Sequence, residues 1–153
     1  MKKFLYVSIV TALLILIADY FTKAWVIAQL ESPSTSLYIT PFFNLVLNYN
    51  YGVSFGFFNN EFMSRYLFIF ISILILCILY LWLYKSSFMI DMVAYGLILG
   101  GAIGNIIDRL QYGAVVDFIE LHLDAWRYPS FNIADSAIVL GVSLLVIFSK
   151  QLR

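Results

Sequence analysis

The stretch FNIADSAIVLGV, from Phe131 to Val142, opens the last apolar segment of the chain. Only 14 uncharged residues, Ser136 to Ser149, follow its aspartate, whereas a helix needs about 20 residues to cross the hydrocarbon core of a bilayer. A membrane-spanning helix must therefore begin near Phe131, which places Asp135 about one turn, or about 5 Å, inside the helix. Because a carboxylate at that depth is costly, we expect Asp135 to have a function.

The composition is that of an integral membrane protein. Of the 153 residues, 63% are hydrophobic and 12% are charged, and the mean hydropathy is +0.92, far from a soluble globular composition. The formal net charge is zero, so neither a nucleic-acid partner nor a polybasic membrane anchor is indicated. No repeat or linker divides the chain, and we expect residues 1–153 to form one domain.

Cysteine and histidine are almost absent. The single cysteine, Cys77, excludes an intramolecular disulfide, and the single histidine, His122, leaves too few ligands for a zinc site. A Mg²⁺ or Ca²⁺ site built from carboxylates alone remains open.

Four segments are long and apolar enough to form transmembrane helices, at about residues 4–28, 66–84, 88–107 and 131–149. The sequence therefore predicts an all-α membrane protein with four transmembrane helices. The first segment follows two lysines, as in a cleavable signal peptide, but it continues without a small-residue cleavage site, so we expect a retained helix. Four spans put both termini on one side, and the positive-inside rule makes that side cytoplasmic.

The segments 29–65 and 108–130 are predicted to lie at the outer membrane face. In 29–65, Pro33 and Pro41 interrupt helix, and Asn and Gly separate runs of Tyr, Phe, Val and Leu, which favours short strands with turns. We expect a small extracytoplasmic β-rich segment there. All acidic residues except Asp91 fall at or beyond this face, and this asymmetry indicates chemistry, since acids contribute little to topology.

A second aspartate, Asp117, lies in the apolar stretch GAVVDFIEL. It precedes Asp135 by 18 residues, with the turn-forming segment 126–131 between them, so a short reversal brings the two carboxyl groups together. Two carboxylates in one apolar site share a proton, as in the aspartic proteases. Two alternatives remain open: Asn132 and Asp135 also fit the N-cap and N3 positions of a helix, and Asp117 fits an interfacial carboxylate with a local hydrogen bond.

The end of the third segment, GGAIGNIIDRL, carries glycines and polar residues at helical spacing. Gly96, Gly100 and Gly104 recur every four residues, which is typical of helices in close contact. Asn105 and Arg109 are also four residues apart, so that both point from one helix face toward the outer segments. Arg109 is predicted either to hold a carboxylate or substrate carbonyl, or to reach the lipid headgroups.

Two shorter motifs complete the set of polar candidates. Asp19 and Lys23 form an i,i+4 acid–base pair on the first helix, which fits a structural ion pair, a lysine that reaches the headgroups or a catalytic role. Asn50 and Gly52 lie in the turn NYNYGVSFG, where a side chain and a backbone group are expected to bind an extended peptide.

These motifs, in their order along the chain, resemble those of the bacterial lipoprotein signal peptidases, or signal peptidase II, a family of four-helix aspartyl proteases. The motifs are D-x-x-x-K at Asp19–Lys23, N-x-G-x-x-F-G at Asn50–Gly56, G-G-x-x-G-N-x-x-D-R at Gly100–Arg109, V-V-D-F at Val115–Phe118 and F-N-x-A-D-S at Phe131–Ser136. Tyr20 and Ser54 depart from the more usual residues, which bears only on fine substrate preference.

The resemblance implies that Asp117 and Asp135 are the catalytic pair. The residues that it places in or around the site are Asp19, Lys23, Asn50, Gly52, Gly101, Asn105, Arg109, Asn132 and Ala134. It implies an endopeptidase of the bacterial inner membrane, with its site toward the periplasmic face and no metal or other cofactor. The enzyme would remove signal peptides from prolipoproteins just before the diacylglyceryl-modified cysteine. Its partners would be these precursors and membrane lipids, and we expect a monomer.

Two other classes of function remain open from the residues alone. A proton-coupled transporter would also carry acids in its spans, but it predicts acids along the whole membrane depth. A membrane scaffold would use the glycine ridge for assembly, which leaves Asp117, Asn132 and Asp135 unexplained.

Overall fold

The computed structural model describes residues 2–30, 36–52, 61–84 and 88–148. Within these ranges the helices are α1 (Lys2–Gln29), α2 (Glu61–Leu83), α3 (Met89–Tyr112) and α4 (Ile133–Phe148), and the strands are β1 (Ser36–Thr40), β2 (Phe43–Asn50), β3 (Val115–Leu123) and β4 (Trp126–Arg127). The protein is therefore mostly helical with a small antiparallel sheet.

Three helices of the described chain are long and apolar enough to cross a membrane. Their apolar parts, Leu5–Gln29, Arg65–Trp82 and Met89–Tyr112, have mean hydropathies of 2.0, 2.3 and 1.7. Helix α4 is apolar but has 16 residues, which gives a length of about 24 Å at 1.5 Å per residue. The fourth span therefore stays a prediction, and its last predicted residue, 149, lies outside the described residues, as does the end of the chain.

Helix α3 is the centre of the helix bundle, packed between α1 and α4. A Cβ atom on Gly96 would lie 2.7 Å from the carbonyl oxygen of Ser8, and one on Gly100 would lie 2.6 Å from that of Ala12. The backbones of α1 and α3 approach this closely because neither glycine has a side chain. The packing role that the sequence predicts for the glycine ridge is confirmed at these two positions.

Two helices extend by about one turn beyond the predicted membrane spans. Helix α3 continues past 107 to Tyr112, so that Asp108 and Arg109 belong to a helix and not to an outer segment. It ends at Gly113, whose φ of 80° is left-handed and whose N–H donates to the Arg109 carbonyl at 3.2 Å. Helix α2 begins five residues before the predicted 66. Hydropathy locates the apolar part of a helix and misses polar turns that extend it.

The sheet takes its strands from both predicted outer segments. Its order is β1-β2-β3-β4, with all neighbours antiparallel. Strands β1 and β2 lie in 29–65 as predicted, whereas β3 and β4 lie in 108–130, where we predicted none, and the all-α description is wrong to that extent. The first four residues of β3 are all buried, so the strand lacks the alternation that marks a half-exposed strand.

The sheet packs against one end of the helix bundle. Val26 and Leu30, at the end of α1, form an apolar cluster with Leu47 of β2 and with Val116 and Phe118 of β3. Strand β3 also contacts α3 near the point where that helix ends. This packing fixes β3 beside the first turn of α4.

The chain between β3 and α4 makes the reversal that the sequence predicts. After the β3–β4 hairpin, Phe131 pairs with Ile119 through two backbone hydrogen bonds of 2.8 and 3.1 Å. The next residue, Asn132, therefore lies against β3 and directly precedes α4. One short segment thus connects the strand that carries Asp117 to the helix that carries Asp135.

Candidate active site

Asp117 is a buried carboxyl group held by two side-chain amides. It is 1% exposed, and its oxygens accept hydrogen bonds from Asn132 Nδ2 at 2.8 Å and Asn50 Nδ2 at 2.9 Å. Asn50 reaches it because Asn48 is the direct cross-strand neighbour of Asp117, and residues two apart share a face of the sheet. Burial raises the pKa of Asp117 to about 7; the nearby charge of Asp135 adds to this effect, and the amide hydrogen bonds oppose it.

Asn132 caps helix α4 and contacts Asp117 at the same time. It is fully buried; its Oδ1 accepts the N–H of Asp135 at 2.8 Å, and its own N–H lies 3.4 Å from Asp135 Oδ2. This reciprocal pair is the capping box that the spacing predicts, so the helix-cap alternative is confirmed. Because the amide oxygen is used in the cap, the NH₂ group of Asn132 faces Asp117.

Asp135 lies in the first turn of α4 and is partly exposed. Its Oδ1 accepts a hydrogen bond from Asn105 Nδ2 at 2.8 Å. The Oδ1 atom of Asn105 faces Lys23 Nζ at 3.4 Å and Asn132 Nδ2 at 3.3 Å, which fixes the orientation of the amide. Asn105 and Asn132 thus connect the two carboxyl groups, and among the hydrogen bonds of the described residues none joins the two carboxyl groups directly.

A buried ion cluster lies behind these amides. The predicted pair of Asp19 and Lys23 is confirmed, with 2.6 Å between Asp19 Oδ2 and Nζ, and Lys23 also pairs with Asp108 at 2.8 Å. Asp19 Oδ1 accepts the N–H of Ala134 at 2.9 Å. A carboxylate of α1 thus satisfies an N–H of the first turn of α4, where it also interacts favourably with the positive end of the helix.

Two glycines of α3 make room for this arrangement. A Cβ atom on Gly101 would collide with the carbonyl oxygen of Ala134, and one on Gly104 would lie 2.7 Å from Asp19 Oδ2. Ala134 itself is fully buried. The lack of a side chain at Gly101 therefore lets Ala134, in the first turn of α4, lie close to α3.

The turn that contains Asn50 and Gly52 is held by internal hydrogen bonds. The N–H of Gly52 donates to Asn50 Oδ1 at 2.8 Å, and the NH₂ group of Asn50 donates to Asp117. Asn50 thus contacts the site directly, and the binding of an extended peptide by this turn stays a prediction. Gly52 has a φ of 79°, and a Cβ there would lie 2.8 Å from Cδ2 of the Phe68 ring. Residues 53–56 of this motif, with Ser54, lie outside the described residues.

Arg109 turns toward the acidic cluster. Its guanidinium donates to the Asn105 carbonyl at 3.3 Å and lies 5.3 Å from the centroid of the Phe68 ring. Its charge interacts with Asp135, Asp108 and Asp117. These contacts favour the alternative in which Arg109 holds a carboxylate.

An apolar groove opens beside Asp135. Its volume is about 610 Å³. Its lining comes from the segment before α4 and from one face of that helix: Tyr128, Pro129, Ser130, Phe131, Asp135, Ser136, Val139, Leu140 and Ser143. Asp135 is thus the acid of this cluster that lines the open, largely apolar groove.

Sequence reasoning missed Asp108, Gly104 and Phe68 as parts of the site. Asp108 is three residues from Asn105, a helical spacing that places both on one face, and this was the available signal. Nothing in the sequence indicated that Phe68 of α2 packs on both Gly52 and Arg109. Within the described part of the chain, no group of three or more His, Cys, Asp or Glu is placed to hold a metal ion, so the carboxylate-only metal site gains no support.

Solved structures resemble this fold. Two solved structures, both described as a bacterial membrane enzyme determined by the in meso method, superpose on it. The one at 1.9 Å has a TM-score of 0.81 and 34% identity, covering 94% of this chain and 93% of its own. The one at 2.3 Å has a TM-score of 0.78 and 35% identity, covering 92% and 85%.

The sequence comparisons give the family. The lipoprotein signal peptidase of Pseudoalteromonas atlantica is 43% identical over 139 residues, or 89% of this chain and 84% of that relative. That of Shewanella woodyi is 41% identical over 139 residues, covering 89% and 78%, and that of Rickettsia akari is 38% identical over 141 residues, covering 91% and 71%. The family model for signal peptidase (SPase) II matches residues 11–151. The chain therefore belongs to the signal peptidase II family and is a membrane protease.

Proposed function

We propose that this protein is an aspartyl endopeptidase that removes signal peptides from diacylglyceryl-modified prolipoproteins, cutting just before the lipidated cysteine. The observation that carries the proposal is the pair of acids Asp117 and Asp135, which come from different elements and are connected by Asn132 and Asn105. The named relatives, which are lipoprotein signal peptidases, support the substrate class.

The surroundings of the two acids support different roles. Asp135 lies in the first turn of α4, accepts a hydrogen bond from Asn105 Nδ2, interacts with the charge of Arg109 and borders the open groove. Asp117 is buried, and its pKa, raised to about 7, favours the protonated form. We assign Asp135 as the general base and Asp117 as the general acid.

The steps of the reaction then follow from these two roles. Asp135 takes a proton from a water molecule between the carboxyl groups, and the water oxygen attacks the scissile carbonyl carbon. Asp117 donates its proton to the carbonyl oxygen, which gives a neutral tetrahedral intermediate. When the C–N bond breaks, Asp135 gives its proton to the leaving amine and Asp117 recovers the proton of the hydroxyl group. Both acids return to their starting states, and no metal ion takes part.

The groove beside Asp135 supports a substrate that carries acyl chains. It begins at the proposed base and continues along the apolar face of α4, past Val139 and Leu140. An acyl chain in the groove would anchor the scissile bond near Asp135, whereas an unmodified peptide would lack this anchor.

We further propose that the chain is a single monomeric domain of the bacterial inner membrane, with four spans, both termini cytoplasmic and the site at the periplasmic face. The position of Asp135 in the first turn of α4 supports this placement. Trp126 is exposed on the sheet and offers a test. In intact cells, a Trp126→Cys variant should react with a membrane-impermeant maleimide that enters only the periplasm. Reaction only after the inner membrane is opened would contradict the orientation.

The function is tested with the purified protein and a diacylglyceryl-modified prolipoprotein, with mass spectrometry of the products. We expect one cut, before the lipidated cysteine, and no cut in the same precursor without lipid. Asp117→Asn and Asp135→Asn, which keep the size of each side chain, should each abolish the cut. Equal cleavage of the unlipidated precursor would contradict the substrate class, and a cut elsewhere would contradict the proposed specificity.

A further inference from the structure

Asp108 contacts β3, the strand that carries Asp117. We predicted no role for this residue from the sequence. It lies near the end of α3 and is buried. Its Oδ2 atom accepts the N–H of Val116 at 3.0 Å and lies 2.8 Å from Lys23 Nζ. Because Val116 directly precedes Asp117, this carboxylate holds the backbone next to the proposed general acid.

The contact occurs at an edge of β3 with which, among the described residues, no strand pairs at this point. Strand β3 pairs with β2 along one edge. On the other edge, the N–H of Phe118 donates to the Phe131 carbonyl at 3.1 Å, and the Val116 carbonyl accepts Asn132 Nδ2 at 3.2 Å. The N–H of Val116 lies on that same edge, and Asp108 accepts it in place of a strand.

Lys23 holds the Asp108 carboxylate in position. Its Nζ lies between the carboxylates of Asp19 and Asp108, with both pairs shorter than 3 Å and all three side chains buried. The same Nζ faces Asn105, which binds Asp135. The ion cluster of Asp19, Lys23 and Asp108 therefore contacts both elements: Asp108 accepts an N–H of β3, and Asp19 accepts an N–H of the first turn of α4.

We propose, on the basis of the function given above, that Asp108 is a positioning residue that fixes Asp117 for proton transfer by binding the N–H of Val116. A displacement of about 1 Å in a reacting group lowers a rate by about 100-fold. The hydrogen bond from the Val116 N–H positions Asp117, and the ion pair with Lys23 orients the acceptor oxygen of Asp108.

The test compares three substitutions of Asp108 with one control in the purified full chain. D108N keeps an acceptor oxygen of the same reach, D108A removes it, and D108E keeps the charge but displaces it by one methylene group. The control D91A removes another buried acid, from the first turn of the same helix at the end far from the site. The measurements are kcat and KM for the lipidated precursor, the Tm, and hydrogen exchange of the 115–117 amides.

We expect D108A to lower kcat by about 100-fold with KM unchanged, with faster exchange of the Val116 amide. D108N should keep most of the wild-type kcat, D108E should lower it, and D91A should keep both constants. Should D108A fail to fold, the difference between D108N and D108E decides. A wild-type kcat in D108A or D108E, a D108N variant as slow as D108A, or a loss in D91A equal to that in D108A would overturn the proposal.

The outcome is distinguishable from a failure of the proposed function. If Asp117→Asn keeps its activity, the aspartyl mechanism of the proposed function is wrong. If Asp117→Asn is inactive and D108A has the wild-type kcat, only the role of Asp108 is wrong.

Discussion

Asn132 has two roles in this structure, and substitutions at this position separate them. Its Oδ1 caps α4 through the N–H of Asp135, and its Nδ2 binds Asp117. Serine is also a good N-cap residue but has no amide donor for Asp117. Asn132→Ser should therefore keep the cap and lose the contact with Asp117, whereas Asn132→Ala should lose both.

The magnitudes follow from the two contacts. Loss of an N-cap costs about 1 kcal/mol, and loss of a hydrogen bond to the protonated, neutral Asp117 costs about 0.5–1.5 kcal/mol. We therefore expect the free energy of unfolding to fall by about 1.5–2.5 kcal/mol in Asn132→Ala and by about 1 kcal/mol less in Asn132→Ser. In a chain of this size, 1 kcal/mol corresponds to about 2–4 °C in Tm.

The two variants should differ in stability but should both lose activity. The Asn132 hydrogen bond lowers the pKa of Asp117, so its loss raises that pKa and removes a group that orients the acid. Both variants should therefore show a much lower kcat, and the alkaline limb of the pH profile should move to higher pH. The assay is cleavage of the lipidated precursor between pH 5 and 9 in one detergent, with Tm measured in parallel. A wild-type kcat in Asn132→Ser, or equal Tm values for the two variants, would refute the reasoning.

Three further predictions concern pH, packing and metal ions. In the wild type, kcat/KM should fall as pH rises through about 7, because Asp117 loses the proton that it donates; a profile flat from pH 6 to 8 would contradict its role as general acid. Gly104→Ala should lower activity at least about 10-fold by displacing the Asp19 carboxylate from Ala134. Gly113→Ala, where a Cβ would meet only the Arg65 side chain at 4.0 Å and the φ is 80°, should cost only about 1 kcal/mol of stability and keep kcat. Cleavage rates with and without a chelator should agree, and a loss restored by added Mg²⁺ or Zn²⁺ would show that a metal takes part.

Much of the geometry of the candidate site could be predicted from the sequence, because it depends on contacts between residues that are close together along the chain. The Asp19–Lys23 pair, the cap formed by Asn132 and Asp135, and the reversal at 126–131 each depend on residues that are neighbours on a helix or in a turn. Such local geometry can be calculated from the helical repeat and from turn chemistry.

The parts that the sequence did not predict depend on tertiary contacts. The first four residues of β3 are all buried, with Val116 and Phe118 packed against the end of α1, so this part of the strand has no alternation of buried and exposed residues. The role of Asp108 depends on where β3 crosses the end of α3, and that of Phe68 depends on how α2 meets the turn at Gly52. Neither crossing can be calculated from one sequence, because each joins segments that are far apart along the chain.

The two-acid mechanism is tested most directly by the single-turnover rate of cleavage in Asp117→Asn and Asp135→Asn, with a saturating amount of enzyme over lipidated precursor. Single turnover removes product release from the measured rate, and Tm values equal to that of the wild type show that the variants are folded. We expect both variants to cleave no faster than the reaction without enzyme. A rate within about tenfold of the wild type in either variant, a difference in barrier of about 1.4 kcal/mol or less, would contradict catalysis by this pair.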